Sequence, residues 1–371
     1  MRLLGRVARR MRAIPLRVIP ELRPYHLKLL EQWPEANTYY LWGKYDLTND
    51  QAISIRRITP TKLLYILLAT KAPFVEIWEP LWMRLLPLQV AAFCSFFIGG
   101  LLRGRMRRFR TYCLENNNSS ALFGPRMSNP LLTVALRHTI GIYIYAAFER
   151  LAFASPSARD TYRSFPLVPR IASTVILNLP AKPGAVNRLE RRPVACFVGQ
   201  LEERKGIKLL TEAWPLVEQR RPDVSLLIIG DGELRDVVER FVCLRSTSRR
   251  WAGFLSQGSI ANELNDSRIL IAPSVRYGRW REQIGLPIHD ALVAGLTVVT
   301  TNETGLAPWL RKCGHFATHD EPSAASLAES ICLALDARLS PGSVTDDLPL
   351  RDGRVVAAEY LYGDVNNEPA D

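Results

Sequence analysis

Residues 269–310 read ILIAPSVRYGRWREQIGLPIHDALVAGLTVVTTNETGLAPWL. The apolar run Ile269–Ala272 ends at a Pro-Ser pair, which predicts a short buried strand. A polar loop follows, and Pro287 stands where a first helical turn tolerates proline, because an N–H there would lack a helical partner anyway. The helix should end near Gly295, and Leu296–Thr301, whose second half is β-branched throughout, predicts the next strand. Strand, loop, helix and strand together form a βαβ unit.

The loop of this unit has the features of an anion site. It follows the carboxyl end of a parallel strand, where open α/β sheets bind ligands. The amides of Ile284, Gly285 and Leu286 lie at the predicted helix start, where unpaired N–H groups and the helix dipole attract negative charge. Glu282 precedes these amides, and Asp290 lies about one turn into the helix. This arrangement suits a phosphate with flanking hydroxyls, and we infer a sugar nucleotide as the ligand.

The domain organisation follows from chain length and from the order of the predicted elements. Strands and helices alternate throughout the second half, which predicts an α/β fold with a doubly wound parallel sheet. A chain of 371 residues is longer than chains that usually fold around a single hydrophobic core, so we expect two domains. The predicted divisions are an N-terminal domain at 1–180, a Pro/Gly-bearing linker at 181–192, a C-terminal ligand-binding domain at 193–340, and a loop, last helix and tail at 341–371.

The net charge of +12 is concentrated in the first half of the chain. Residues 1–180 hold 25 Lys and Arg against 10 Asp and Glu, a net of +15, whereas residues 181–371 hold 23 against 26. An acidic membrane surface and an ordinary Arg-rich solvated surface both explain this excess. Nucleic-acid binding is not expected, because basic and aromatic residues do not interleave as in a recognition module. Six scattered cysteines without a C-x-x-C pair predict a cytoplasmic protein, with peripheral attachment to the inner face of the membrane as an alternative.

Leu85–Leu102 is a run of eighteen residues without a formal charge, followed by RGRMRRFR. Its length just reaches that of a membrane span, and the basic flank resembles a stop-transfer signal. The run also contains Pro87, Gln89 and a Gly-Gly pair, and it lies between two predicted strands, Phe74–Trp78 and Thr111–Leu114. We predict a buried crossover helix, with a membrane-dipping amphipathic helix and a true span as alternatives.

Five motifs occur in a fixed order between residues 172 and 335. They are Val198–Gly206, Ile229–Gly232, Ala272–Ser274, Glu282–Asp290 and the strand that follows Gly295. Together these motifs resemble the group 1 glycosyltransferases of GT-B fold, a large retaining family that uses nucleotide sugars. The resemblance implies two Rossmann-like doubly wound domains that face each other across a cleft. The first half resembles the family only faintly.

The resemblance implies that the loop after the first strand of the C-terminal domain binds the donor. Lys205 would contact the donor diphosphate as a compact point charge, next to Gly199. Gln200 stands where the family usually has Arg, so one cation is missing from the site for the leaving group. Arg204 is the first candidate to replace it. Further candidates lie before Glu282: Arg276, Arg279 and Arg281.

The remaining donor contacts are also implied by the resemblance. Glu282 would lie beside the donor sugar, and Asp290 would hold the ribose hydroxyls, although the family normally has the longer Glu there. Gly230 would allow the backbone to approach the nucleotide closely. Phe254 and Leu255 would frame the base, while burial alone is the alternative explanation for both.

The first half departs most from the family pattern. Val18–Pro24 contains no glycine pair, although the family commonly has a glycine-rich loop there that touches the donor phosphate. Glu115 follows a predicted strand at a position where many members have a His. We expect Glu115 to bind an acceptor hydroxyl or to take its proton, and the alternative is a loop acid that caps the Asn-rich turn.

These expectations combine into one functional hypothesis. The chain would be a retaining transferase that moves a sugar from a nucleoside diphosphate to a hydroxyl on a glycan or lipid-linked acceptor. Glu282, Lys205 and Glu115 would be catalytic, with no metal or other cofactor, because cations and helix dipole stabilise the departing diphosphate. The alternatives are a catalytically weakened sugar-nucleotide-binding partner in a membrane-associated assembly and a GT-B epimerase.

Overall fold

The computed structural model describes residues 14–44, 47, 55–118, 121–122, 129–184, 191–318, 322–337 and 339–363. Within these ranges the strands form two parallel sheets, one in each half of the chain, and helices connect most of the successive strands. The α/β prediction with two doubly wound halves is therefore confirmed. The predicted tail at 364–371 and part of the predicted linker, 185–190, lie outside the described residues.

The first sheet has the spatial order β3-β2-β1-β4-β5-β6-β7, with parallel neighbours throughout. Strand order reverses beside β1, which creates the kind of switch point where open sheets bind ligands. The strands are β1 (Leu16–Leu22), β2 (Asn37–Gly43), β3 (Arg56–Arg57), β4 (Val75–Glu76), β5 (Phe109–Cys113), β6 (Phe148–Phe153) and β7 (Ala172–Val175).

The helices of the first half begin where the sequence supplies caps. Thr59, Asn129 and Ser155 each accept a backbone N–H of the first turn that follows them, and a proline occupies the start of that turn. The helices are α1 (Pro24–Leu30), α2 (Pro60–Ala69), α3 (Leu86–Leu101), α4 (Pro130–Ala147) and α5 (Pro156–Arg163).

Helix α3 connects β4 to β5, as predicted for a crossover helix. Its inner side buries Ala92 and Phe96, and the Phe96 ring stacks on Phe109 of β5 at 5.6 Å between centroids. A Cβ on Gly99 would collide with the backbone of Leu68, so this glycine permits the close packing of α3 against α2. By length and composition alone, Met83–Leu101 would also suffice to cross a membrane, and a third of that window is buried.

The second sheet has the order β10-β9-β8-β11-β12-β13. Its strands are β8 (Val194–Val198), β9 (Ser225–Ile229), β10 (Arg249–Trp251), β11 (Ile269–Ala272), β12 (Thr297–Thr300) and β13 (Phe316–Ala317). Its helices are α6 (Ile207–Arg220), α7 (Arg235–Cys243), α8 (Gln257–Asp266), α9 (Leu286–Val293), α10 (Ala307–Lys312) and α11 (Ala324–Ala337). The predicted strand–loop–helix–strand unit is thus β11, its loop, α9 and β12.

The end of the chain differs from the prediction of a loop over 341–353. Residues Pro341–Asp346 form a helix, α12, because Ser340 caps it and a proline opens its first turn. The last helix, α13 (Gly353–Tyr362), was expected, but it packs on the first sheet: Arg110 of β5 donates to the Leu361 carbonyl at 2.5 Å. The chain therefore crosses between the two halves twice, after β7 and before α13.

Candidate functional site

The site lies at the carboxyl edge of the second sheet, where two loops are brought together by a glycine. Gly206 has a φ of +73°, and a Cβ on it would collide with the carbonyl oxygen of Pro273 after β11. Val275 N–H donates to the Arg204 carbonyl at 3.0 Å across the same contact. The loop after β8 therefore lies directly against the loop after β11, which explains why Lys205 and Glu282 meet.

Lys205 and Glu282 form an ion pair at the centre of this site. Lys205 Nζ lies 2.5 Å from Glu282 Oε2, and the Ser274 hydroxyl donates to the same oxygen at 3.0 Å. Both side chains of the pair remain partly open to solvent, at 19% and 13% exposure. A small cavity beside them is lined by Val198, Gly285 and Pro287. The two predicted catalytic groups of the C-terminal half are thus brought together beside this cavity.

Gln200 holds Arg204 at the edge of the same site. Arg204 donates from Nη2 to Gln200 Oε1 at 2.7 Å and from Nε to Glu202 at 2.5 Å. Its guanidinium also lies over the Trp280 ring at 4.6 Å from the centroid, and Lys205 Nζ lies 5.2 Å from that centroid. Trp280 therefore contacts both cations, a role that no sequence pattern indicated. Among the predicted replacements for the missing cation, Arg204 is the one held next to Lys205.

The other arginines predicted to replace the missing cation lie elsewhere. Arg281 donates to Glu303 at 2.9 Å and to the Asn116 carbonyl at 2.7 Å, so it joins the two halves of the protein. Arg276 lies 3.7 Å from the same Glu303, and Arg279 is exposed. These contacts direct the guanidinium groups of Arg276 and Arg281 to Glu303 rather than to the Lys205–Glu282 pair.

The glycine turns after β8 and β9 pack against each other. Gly230 has a φ of +136°, and a Cβ there would collide with the carbonyl oxygen of Gly199. The Gly199 N–H donates to the Ile229 carbonyl at 3.0 Å, and Leu201 N–H donates to the Asp231 carbonyl at 3.0 Å. Glycine is therefore required at position 230 by the packing of the two turns, and the predicted approach of a nucleotide to this backbone stays a prediction.

Helix α9 presents its first amides to the site. Gly285 is its N-cap residue, with a φ of +86°, and within the described residues no side chain caps the helix. Ile284 is buried and fixes the segment, whereas Leu286 is exposed. Amides at an uncapped helix start, beside a lysine, make an anion-binding arrangement.

Asp290 lies on the wall of the cleft and faces α1 of the first half. Burial by the surrounding protein raises the pKa of Asp290, although its carboxyl remains accessible from the cleft, and the Lys28 ammonium of α1 opposes this rise. Lys28 also lies 3.4 Å from the Gln257 side chain of α8. Where the family pattern has a glycine-rich loop, this chain thus begins α1 directly after β1, and α1 brings Lys28 towards the predicted ribose site.

Phe254 and Leu255 follow β10 and differ in environment. Phe254 is 71% exposed, so burial in the core does not account for an aromatic residue at this position. Its ring is accessible for stacking. Leu255 is half-buried and packs on the core of the C-terminal domain. Their predicted contact with a base stays a prediction.

Glu115 lies across the cleft, next to the loop that carries Glu282. Burial raises the pKa of Glu115, while hydrogen bonds from Asn117 and from Gln283 oppose the rise. The Asn117 N–H donates to Glu115 Oε1 at 2.9 Å, so the carboxyl also caps the Asn-rich turn, the alternative that the sequence left open. The Glu115 carboxyl therefore lies beside Gln283, the residue that follows Glu282, and its predicted acceptor role stays a prediction.

Glu79, at the end of β4, fixes the backbone around Glu115. Its Oε2 accepts the N–H groups of Leu114 and Glu115, both at 2.8 Å, and the Tyr162 hydroxyl at 2.9 Å. Complete burial, with the charge of Glu115 nearby, raises the pKa of Glu79 to about 7. This carboxyl therefore joins the ends of β4 and β5 to α5.

Asparagines after β5 bind the donor-side loops across the cleft. Asn116 Nδ2 donates to the Glu282 carbonyl at 3.0 Å, and Asn117 Nδ2 donates to the Arg279 carbonyl at 3.1 Å. The Asn-rich loop was visible in the sequence, but its partners are more than 160 residues away. Asn116 and Asn117 therefore position the backbone of the loop that holds Glu282.

The described residues contain no group of three His, Cys, Asp or Glu side chains able to hold a metal ion. His315 accepts the Val298 N–H through Nδ1 at 3.1 Å, which is a structural contact inside the second half. His289, next to Asp290, is buried and bonds to the Asn178 carbonyl at 2.7 Å, as expected for a packing residue.

Comparison with known families and curated proteins agrees with the sequence motifs. Residues 192–337 match the family described as Glycosyl transferases group 1. The phosphatidyl-myo-inositol mannosyltransferase of Mycobacterium tuberculosis is 31% identical over 148 residues, which cover 38% of this chain and 37% of that protein. The protein of the same name from Propionibacterium freudenreichii is 29% identical over 179 residues, 45% of this chain and 40% of that protein. The matches thus span less than half the length of these relatives.

Solved structures resemble the chain over nearly its whole length. A glycosyltransferase from Rickettsia africae superposes with a TM-score of 0.64 at 14% identity, and the match covers 96% of this chain and 100% of that one. Anabaena HepE in complex with UDP superposes with a TM-score of 0.63 at 13% identity, over 94% and 95% of the two chains. At such identities the likeness shows the fold alone. The chain therefore has the GT-B fold, and its residues 192–337 are similar to the family described as Glycosyl transferases group 1.

Proposed function

We propose that this protein transfers a sugar from a nucleoside diphosphate to a hydroxyl group of a glycan or lipid-linked acceptor, with retention of configuration. The observation that carries the proposal is the Lys205–Glu282 pair beside the uncapped start of α9, with Arg204 held next to it. Two cations and the amides at the start of α9 favour the binding of a diphosphate, and the carboxylate of Glu282 would lie beside its sugar.

The chemistry follows from the charge that the departing diphosphate develops. The bond between the anomeric carbon and the diphosphate oxygen breaks, and the acceptor oxygen forms a bond to the same carbon on the same face. Lys205, Arg204 and the amides at Gly285 stabilise the leaving oxygens, because preorganised donors act strongly in a partly enclosed site. The acceptor proton passes to Glu115, whose raised pKa suits a base that works nearer neutral pH. No metal is required in this scheme.

The relatives support the proposed substrates. Anabaena HepE has been solved with UDP and with UDP-glucose, and the mannosyltransferase relatives are named for phosphatidyl-myo-inositol. A nucleotide-sugar donor and a lipid-linked acceptor are therefore the substrate classes that we propose for this chain. We propose a cytoplasmic location on the inner face of a membrane, where such acceptors are met.

Donor binding is tested first, and sugar transfer is tested second. Thermal-shift and calorimetric titration against a panel of nucleoside diphosphates and nucleotide sugars identifies the donor. Incubation of that donor with and without hydroxyl acceptors, followed by NMR of the product anomer, then tests transfer and retention. Transfer that depends on acceptor supports the proposal, and an inverted product contradicts retention.

A second candidate is a sugar-nucleotide-binding partner that transfers nothing. It is favoured by Asp290, whose carboxylate is one methylene shorter than the Glu usual in the family. Tight donor binding without transfer or hydrolysis supports this candidate. A change in the donor sugar itself, with no acceptor present, supports an epimerase instead.

A further inference from the structure

The chain after β11 makes a tight turn that two backbone hydrogen bonds close. Tyr277 N–H donates to the Trp280 carbonyl at 3.2 Å, and Trp280 N–H donates to the Tyr277 carbonyl at 2.9 Å. Gly278, with a φ of +57°, and Arg279 lie between them and reverse the chain. Residues 277–280 are named here the tryptophan turn. Because the turn is closed in this way, the direction of the Trp280 side chain depends on what anchors the turn.

The first half of the protein anchors the tryptophan turn from across the cleft. Asn117 Nδ2, in the loop after β5, donates to the Arg279 carbonyl inside the turn at 3.1 Å. Arg281, the next residue after the turn, donates to the Asn116 carbonyl at 2.7 Å and to Glu303 of the second half at 2.9 Å. The loop after β5, on the proposed acceptor side, therefore fixes both the turn and the residue that follows it.

The Trp280 ring holds two cations of the donor site together. The Arg204 guanidinium carbon lies 4.6 Å from the ring centroid, and Lys205 Nζ lies 5.2 Å from it. These neighbouring cations repel each other, and the negative face of the ring attracts both of them. Glu202 and Glu282 each pair with one of the cations, but a carboxylate offsets the positive charge that attracts a diphosphate. An aromatic ring holds a cation without adding a negative charge, so the contact with Trp280 preserves the attraction for a diphosphate.

Arg204 also keeps hydrogen-bond donors for a ligand. It donates from Nη2 to Gln200 and from Nε to Glu202, and among the described residues none accepts a hydrogen bond from its Nη1. The contact with the Trp280 ring face uses no acceptor atom, so the N–H groups of Nη1 remain available to phosphate oxygens. Gln200 and Trp280 thus hold the guanidinium in place while part of its hydrogen-bonding edge can bind a diphosphate.

We propose that Trp280 positions Arg204 and Lys205 for the departing diphosphate and makes their placement depend on the loop after β5. The contacts are continuous, because Asn117 anchors the turn, the turn directs the ring, and the ring holds the two cations. Trp280 is a positioning residue, since it touches the cations rather than the substrate. The inference deepens the proposed function and rests on it for the identity of the leaving group, whereas binding of a diphosphate does not require transfer.

The experiment is calorimetric titration of the full chain with inorganic pyrophosphate, whose binding does not depend on the base of the donor. Trp280→Leu should weaken this binding about tenfold, and Trp280→Phe only about threefold, because Phe keeps a ring but attracts cations less strongly than Trp. The matched control is Tyr277→Leu. Tyr277 is 54% exposed in the same turn and, among the described residues, its ring contacts no cation, so the variant should bind like the wild type. Equal thermal midpoints show that the variants remain folded.

Two double variants test whether the contacts act through Trp280. Asn117→Ala should weaken pyrophosphate binding about fivefold in the wild-type background, as expected for a lost hydrogen bond that holds the turn. In the Trp280→Leu background it should cost less than about twofold, because the ring through which it acts is absent. Trp280→Leu should likewise cost less than about threefold in an Arg204→Gln background. Additive losses in both pairs would overturn the proposal, because independent sites give additive effects.

The remaining outcomes separate the positioning role from the proposed function. Equal pyrophosphate affinity in the wild type and Trp280→Leu, or an equal loss in Tyr277→Leu, overturns the positioning role whatever the transfer assay shows. Pyrophosphate binding that depends on Trp280, in a chain that transfers no sugar from any donor, supports the positioning of the cations and refutes only the function. A wild-type chain that binds no pyrophosphate overturns both.

Discussion

Replacement of Lys205 by Met should abolish most turnover while leaving the fold intact. The ammonium is 2.5 Å from Glu282 Oε2 and contacts the Trp280 ring, and it lies at the mouth of the small cavity beside α9. Loss of one preorganised donor to a developing anion costs on the order of 10²–10³ in kcat, or about 3–4 kcal/mol. The variant also leaves Glu282 without its cation next to an incoming diphosphate, so affinity for the nucleoside diphosphate should fall as well.

The assay compares kcat, KM for the donor, and inhibition by the nucleoside diphosphate product. Lys208→Met is the matched control, because Lys208 lies three residues away and forms only an exposed pair with Glu203 at 3.1 Å. It should change each constant by less than about twofold, as expected for a surface ion pair. The double variant Lys205→Met/Glu282→Gln should recover product affinity without recovering kcat. Full turnover in Lys205→Met, or an equal loss in Lys208→Met, would refute the assignment.

Three other substitutions test the remaining carboxyl groups. Glu115→Gln should lower kcat with little effect on the donor KM, and the fall of wild-type kcat at acidic pH should disappear in the variant; a retained acidic limb contradicts the role as base. Asp290→Asn should weaken nucleoside diphosphate binding about tenfold or more, as expected for a lost charged hydrogen bond, and an unchanged calorimetric affinity would remove Asp290 from the ribose site. Glu79 has a pKa of about 7 against an ordinary 4.5, so its contribution to stability is complete below pH 4.5 and is lost as pH rises through 7. Denaturant unfolding from pH 5 to 8 should therefore show a decline of up to about 3 kcal/mol that Glu79→Gln lacks, and identical slopes would contradict this.

Local patterns in the sequence predicted the strands and the helix that carry the C-terminal part of the candidate site. These patterns depend only on residues that are neighbours in the chain, which the sequence displays directly. They are the apolar run Ile269–Ala272, the glycine and proline at the start of α9, and the spacing of Glu282 and Asp290. The family resemblance added Lys205, and the structure brings that lysine to Glu282 through the contact of Gly206 with Pro273.

Contacts between distant segments were not predictable in this way. Trp280 gave no signal, because an aromatic residue in a polar loop has many possible neighbours, and its place over Arg204 depends on how two loops pack. Arg281 was a candidate for the diphosphate, but its partner is Asn116 of the other half. Helix α12 was missed because a short capped turn looks like loop sequence. The docking of α13 on β5 and β6 depends on three-dimensional packing that no periodicity records.

The two chain crossings between the halves lie side by side. Gly353 N–H donates to the Leu179 carbonyl at 2.9 Å, and Lys182 N–H donates to the Pro349 carbonyl at 2.7 Å. A Cβ on Gly353 would collide with the Leu177 carbonyl, so the chain segments that form the two crossings touch at that point. The two segments that cross between the halves therefore lie together beside Gly353, whereas Asn116 and Arg281 join the halves at the cleft. A rotation of one half against the other would break the hydrogen bonds of Asn116 and Arg281 before it strained the crossings.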